Sequence, residues 1–147
     1  MTAAWTETAL ERLRETTGRS GGARRVVVEL LGRQDCCLSA QEVHDRVRAE
    51  GARIGVASVY RTLDRLDGLG LVQRVDLGDG VYRFERADPR GDHHHHLVCD
   101  DCGKVEPFED SALEAAIVSV AGGRGYDVAA HDVVVRGACG ACRAPSS

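Results

Sequence analysis

Two Cys-x-x-Cys pairs constrain this chain more than anything else in it. Cys99-Asp-Asp-Cys102 and Cys139-Gly-Ala-Cys142 stand 36 residues apart. Two tight pairs let four thiolates converge tetrahedrally, and zinc suits a closed sulfur site that needs no redox change. Such a site ties the first strand of a small domain to its C-terminal end and supplies folding energy to a short segment. Four buried or disulfide-bonded cysteines are the alternative. The stretch from Met1 to Leu10 lacks the basic start and long apolar core of a secretory signal. No apolar run approaches a membrane span. A cytoplasmic location with reduced thiols is expected, and there paired cysteines point to metal.

Four consecutive histidines, His93 to His96, run into the first pair. On a strand, alternation sends His93 and His95 to one face and His94 and His96 to the other. One short run can then feed two metal sites, each completed from elsewhere. Glu85, Glu114, His131, Cys36 and Cys37 are the candidates. His44, within a helix beside Asp45, reads as a partly exposed helix histidine rather than a ligand.

The net charge of -4 conceals a split. Residues 1–86 carry 14 Lys and Arg against 13 Asp and Glu, and residues 87–147 carry 5 against 10. The acidic half also holds the metal-ligand candidates, so bound cations offset part of its charge. The first half is near neutral, so any nucleic-acid contact must come from locally clustered arginines.

That first half reads as helices followed by a hairpin. Trp5, Ala9, Leu10 and Leu13 recur at helical spacing within residues 2–17. Gly18 to Gly22 break that helix, a second covers Ala23 to Leu31, and Gly32 is a plausible stop. Ser39-Ala-Gln-Glu42 is a capping box opening a third helix that ends at Gly51. From Gly55 to Leu69, Val59, Leu63, Leu66 and Leu69 form one apolar stripe, with Ser58, Arg61, Thr62 and Arg65 largely off it. Leu71 to Val75 and Val81 to Phe84 read as strands around the turn Leu77-Gly-Asp-Gly80. The pattern is that of a winged helix, with Tyr60 and Arg61 facing outward early in the groove-reading helix. Arg24 and Arg25 are candidates for the DNA backbone or minor groove, with a solvated helix face as the competing reading.

Glu85 to Asp92 is polar and holds Pro89 and Gly91, the composition of a hinge. Beyond it, His95 to Cys99 and Lys104 to Phe108 read as strands. Ser111-Ala-Leu-Glu114 reads as a second capping box, opening a helix through Val120. Asp127 to Ala130 and Asp132 to Arg136 read as further strands. The expected organisation is α+β: a DNA-binding domain at 1–84, a hinge at 85–92, and a metal-binding domain at 93–147.

Leu38 to Glu42, Ser58-Val-Tyr-Arg-Thr-Leu63, the block from His93 through Cys102 to Val105, and Cys139 with Cys142 together resemble the ferric uptake regulator superfamily of bacterial metal-responsive repressors. The resemblance covers nearly the whole chain. It implies a winged-helix domain, a hinge and a small α/β dimerisation domain, working as a homodimer on an inverted-repeat DNA operator. It assigns structural zinc to Cys99, Cys102, Cys139 and Cys142. A second set in the dimerisation domain would be His93, His95, Glu114 and His131. The regulatory set at the hinge would be His94 and His96 with Glu85 and Cys37. Tyr60, Arg61, Ser58, Thr62, Arg24 and Arg25 would face DNA.

The chain departs from that pattern in places. Iron-type members commonly place histidine where Cys37 stands. Zinc-type members often have cysteine near position 85 and Asp or His near 73, where this chain has Glu85 and Gln73. Gly21-Gly22 replaces the more usual Thr or Pro. A thiolate, two imidazoles and a carboxylate favour Zn(II) as the sensed metal, with Fe(II) or Mn(II) as the alternative. Oxidation of Cys36 and Cys37 would instead make a peroxide or redox sensor on the same fold. A zinc hydrolase is a poorer match, because no His-Glu-x-x-His or nucleophile-elbow motif is present. A DNA-binding protein with zinc only as a staple remains the plainest competing reading.

Overall fold

The computed structural model describes residues 2–18, 21–87 and 93–143. The chain divides into two compact units, Met1–Asp92 and His93–Ser147. As expected, helices and a small sheet make the first unit, and a sheet with one helix makes the second.

Four helices lead the N-terminal unit: α1 (Thr2–Thr17), α2 (Gly22–Arg33), α3 (Ala40–Ala49) and α4 (Val56–Gly68). Their core is the apolar stripe of each helix: Leu13 from α1, Val27 and Leu31 from α2, Val43 and Val47 from α3, Val59, Leu63 and Leu66 from α4. Trp5 locks α1 to the end of this core, its indole N–H donating to the Leu71 carbonyl at 3.0 Å. Gly32 is not a stop, since α2 continues to Arg33. A Cβ at Gly32 would stand 2.4 Å from Thr6 Oγ1, so the glycine is there to let α1 approach. The Ser39 capping box forms in full: Ser39 Oγ accepts from the Glu42 amide at 3.1 Å, and Glu42 Oε2 accepts from the Ser39 amide at 2.8 Å.

Three strands complete the unit. β1 (Leu38–Ser39) is too short to show a period in sequence. It pairs antiparallel with β3 (Tyr82–Arg86), and β3 pairs with β2 (Val72–Asp76), giving the order β1-β3-β2. Arg74 ties this wing to α4, reaching Asp64 at 3.2 Å and Asp67 at 3.1 Å. The hinge does not begin at 85, because β3 carries on through Arg86. Glu85 pairs with Gln73 and Arg86 with Val72, so two polar residues that read as linker belong to the sheet. Residues 88–92 of the expected hinge lie outside the described residues.

The C-terminal unit holds β4 (His95–Cys99), β5 (Val105–Phe108), α5 (Ser111–Gly122) and β6 (Val134–Gly137). β4 is the central strand, antiparallel to β5 and parallel to β6. Asp127 to Ala130 forms no strand. The cap of α5 is Asp110, not Ser111: Asp110 Oδ1 accepts from the Leu113 amide at 2.9 Å. The shift by one residue leaves the Glu114 carboxylate available for histidines. No residue of α5 is buried, although the helix is strongly apolar. Among the described residues no helix is long and apolar enough to cross a membrane.

Candidate metal centres and nucleic-acid interface

The four cysteines come together. Cys99 and Cys102 flank the tight turn after β4, and Cys139 and Cys142 form a second knuckle just past β6. The parallel pairing of β4 with β6, which sets Cys99 opposite Gly137, brings the two knuckles side by side. All four Sγ atoms lie within 4.8 Å of one another, and Cys102 and Cys139 are 3.9 Å apart. Zinc–sulfur bonds of about 2.3 Å in a tetrahedron place sulfurs about 3.8 Å apart, so the tetrad fits zinc. Amide N–H groups aim at Cys99 as at a thiolate: Cys139 N lies 3.2 Å from its Sγ. Backbone hydrogen bonds, from Cys102 first and then Cys139, pull the Cys99 thiol down to about 6. Hydrogen bonding to Cys139 and Cys102 pushes Cys142 up to about 12. One thiolate sharing protons with neighbouring thiols is how a sulfur tetrad behaves before a cation replaces those protons.

The histidines separate as alternation requires. His93 and His95 stack edge to face with centroids 4.5 Å apart, and His94 and His96 do so at 4.9 Å. The first pair meets Glu114 from α5 and His131 from the segment before β6. Glu114 Oε1 lies 2.5 Å from His95 Nε2, and its Oε2 lies 2.6 Å from His131 Nε2. His93 Nε2 is 3.1 Å from His131 Nε2. The four donors lie within 4.8 Å of one another. Desolvation raises the Glu114 carboxyl, but hydrogen bonds from His95 and His131 outweigh it and hold the group below its ordinary value. Three imidazoles and a carboxylate suit Zn(II), Fe(II) or Mn(II).

In the N-terminal unit Cys37 is buried beside Glu85. Hydrogen bonding to Cys36, then burial, then the charges of Cys36 and Glu85 push the Cys37 thiol upward. Gln73, in sequence only an odd residue for the family, donates from Nε2 to Glu85 Oε1 at 2.6 Å and so orients that carboxylate. Counting back across the turn at Gly78 and Gly80 is the sequence signal that finds the pair. His44 is no ligand candidate: its Nε2 lies 3.0 Å from the Ile54 carbonyl oxygen.

In the same unit, α4 and the start of α2 line an open cavity of about 270 Å³, bordered by Gly21, Arg24, Ser58, Arg61, Thr62 and Arg65. Arg61 Nη2 donates to Ser58 Oγ at 3.1 Å. Arg24 donates to Thr17 Oγ1. Thr62 is buried and its hydroxyl donates to the Ser58 carbonyl at 2.9 Å, so it offers a ligand less than its neighbours do. Tyr60 is half exposed. Arg25 points along α2 to Glu29, 3.5 Å away, as a solvated helix face would. Sequence reasoning places Arg65 off the apolar stripe but not among the DNA-facing residues; it lies one helical turn beyond Arg61 and completes the cationic lining.

A winged helix joined to a unit holding a thiol tetrad and a histidine–glutamate set is one combination, and residues 15–136 match the family model described as the ferric uptake regulator family. The chain belongs to the ferric uptake regulator family. It is 39% identical over 106 residues to the ferric uptake regulation protein of Bordetella parapertussis, covering 72% of this chain and 75% of that one. It is also 39% identical over 129 residues to the zinc uptake regulation protein of Mycobacterium tuberculosis, covering 85% and 95%. Among solved structures it is similar to the Helicobacter pylori ferric uptake regulator, described with three functional metal-binding sites. That likeness has a TM-score of 0.79 at 27% identity over 97% of this chain and 96% of that one. Family membership identifies the first unit as the DNA-binding domain and the second as the dimerisation domain.

Proposed function

We propose that this chain is a dimeric, metal-responsive DNA-binding repressor of metal-homeostasis genes, in which Cys37, Glu85, His94 and His96 jointly hold the sensed cation. Family membership supports the regulatory role, and relatives named for iron and for zinc bracket the metal. The observation that carries the reading is the sorting of the histidine run. Two of its members turn to Glu114 and His131, which leaves His94 and His96 together on the other face.

The thiol tetrad keeps zinc as a staple, and the His93, His95, Glu114 and His131 set is a second site within the same unit. A cation at the regulatory set supplies coordinate bonds that join donors of two separate units. Cys37 and Glu85 ride on the DNA-binding unit, and His94 and His96 on the other. A form with all four donors gathered binds the cation best, so the cation enriches that form. A hundredfold preference is worth about 2.7 kcal/mol, and a dimer has two such sites. Tyr60, Arg61 and Ser58 meet DNA from α4 while Arg24 holds the backbone, on a cytoplasmic inverted-repeat operator that mirrors the two-fold axis.

The dimer is supported by α5, whose exposed Val118 and Val120 need cover. No catalytic role is proposed. The histidine set is closed by the protein's own carboxylate, whereas a catalytic zinc keeps a position open for water. The test is the double variant His94→Ala/His96→Ala in protein retaining its sulfur-bound zinc. Operator binding should lose its metal response, and a response equal to wild type would reject the assignment.

A further inference from the structure

Cys36, a ligand candidate in the sequence, is not among the four residues assigned to the sensed cation. Its Sγ lies 3.9 Å from Cys37 Sγ. Both sulfurs and a Glu85 carboxylate oxygen fall within 4.8 Å of one another. All three residues belong to the N-terminal unit. The ladder explains the arrangement. Leu38 pairs with Phe84, so one step outward Cys37 stands opposite Glu85, and Cys36 follows at the mouth of β1. On the other side of β3, Gln73 fixes the carboxylate at 2.6 Å.

We propose that Cys36 and Cys37 both ligate, so that the DNA-binding unit carries its own cradle of two thiols and one carboxylate for a thiophilic divalent cation. Zinc is the cation that fits. Two sulfurs on one tetrahedral zinc stand about 3.8 Å apart. The observed 3.9 Å separation matches this and equals the Cys102–Cys139 separation in the tetrad. Each ligating thiol exchanges its proton for a metal–sulfur bond, so one cation displaces two protons to the buffer. A second thiolate biases the site further toward zinc and away from Mn(II) and Fe(II), which favour harder donors. Metal selectivity would then be set within the DNA-binding unit. The inference rests on the proposed function only in treating this cradle as part of the sensing site.

The test uses the full-length protein with zinc retained in its sulfur tetrad, titrated anaerobically with Co(II). Thiolate-to-cobalt charge-transfer absorption reports sulfur ligands, and the His93, His95, Glu114 and His131 set contains none. Wild type should show this absorption and release two protons per cobalt at the cradle. Cys36→Ser and Cys36→Ala should each halve the absorption, reduce proton release to one, and weaken zinc binding about tenfold. Thermal melts of the variants before cobalt is added, with tetrad zinc in place, should match wild type, which separates ligand loss from misfolding. No charge-transfer band in wild type, or a band and affinity unchanged in both Cys36 variants, would overturn the inference. Operator binding followed in the same samples keeps the two claims apart. A two-thiolate band with metal-insensitive DNA binding would sink the sensing role and leave the cradle standing. Metal-dependent DNA binding indifferent to Cys36 would do the reverse.

Discussion

Gln73 and Glu85 face each other across the β2–β3 ladder, with the amide nitrogen 2.6 Å from the carboxylate. The bond holds one carboxylate oxygen and leaves the other directed by it. Groups that orient a ligand typically contribute about ten- to a hundredfold to metal affinity. Gln73→Ala should therefore weaken zinc binding at the regulatory site by about tenfold, read from competition with a chelator of known affinity. The tetrad zinc should stay in place. An affinity equal to wild type would remove Gln73 from the site.

The sulfur tetrad joins the turn after β4 to the knuckle after β6 in a unit with little core of its own. Among the described residues its buried side chains are His95, His96, Val98 and Cys99. Zinc is accordingly expected to contribute on the order of 10 kcal/mol to folding this unit. Cys139→Ser should lose one zinc per chain and melt the C-terminal unit while the helices of the first unit persist. Metal content with far-UV circular dichroism checks both halves of that statement.

Val118 and Val120 are 56% and 62% exposed on α5. Placing charge on an apolar face that a second copy covers should break the pair. Val118→Glu/Val120→Glu should sediment as a monomer at micromolar concentration and bind a full operator at least tenfold more weakly. A dimer as stable as wild type would place the interface elsewhere.

Arg65 lines the cavity between α2 and α4 with Arg24 and Arg61. Gly21 is the N-cap of α2 and brings no side-chain cap, and a Cβ there would meet open space, so a phosphate can approach the backbone closely. Arg65→Gln should weaken binding to specific and non-specific duplexes alike. It should also lower the slope of log affinity against log salt by about one for each phosphate that Arg65 neutralises, or about two per dimer. Weakening confined to the operator would make Arg65 a base reader instead.

Much of this was legible because short-range periodicity carries it. The apolar stripe of α4, the Ser39 capping box, the alternation of His93 to His96 and the paired cysteines each depend on neighbours within a few residues. What escaped depends on partners distant in sequence. Gly32 reads as a helix stop until Thr6 is placed against it. Glu85 and Arg86 read as linker because polar residues on a strand look like loop until the partner strand is known. Ser111 reads as the cap because Glu114 stands three residues on, and only the Leu113 amide, donating to Asp110, moves the helix start back by one. Arg65 reads only as a residue off the apolar stripe, and its place in the cationic lining depends on α2 lying alongside.

The central claim is that a cation held by Cys37, Glu85, His94 and His96 governs DNA binding. Operator affinity of the full-length dimer, with its tetrad zinc retained, should be measured anaerobically at fixed salt against buffered free Zn(II), Fe(II) and Mn(II). The account predicts a rise of about a hundredfold, reached at lower free zinc than free iron or manganese. Operator affinity that stays the same with every metal and with none would contradict it.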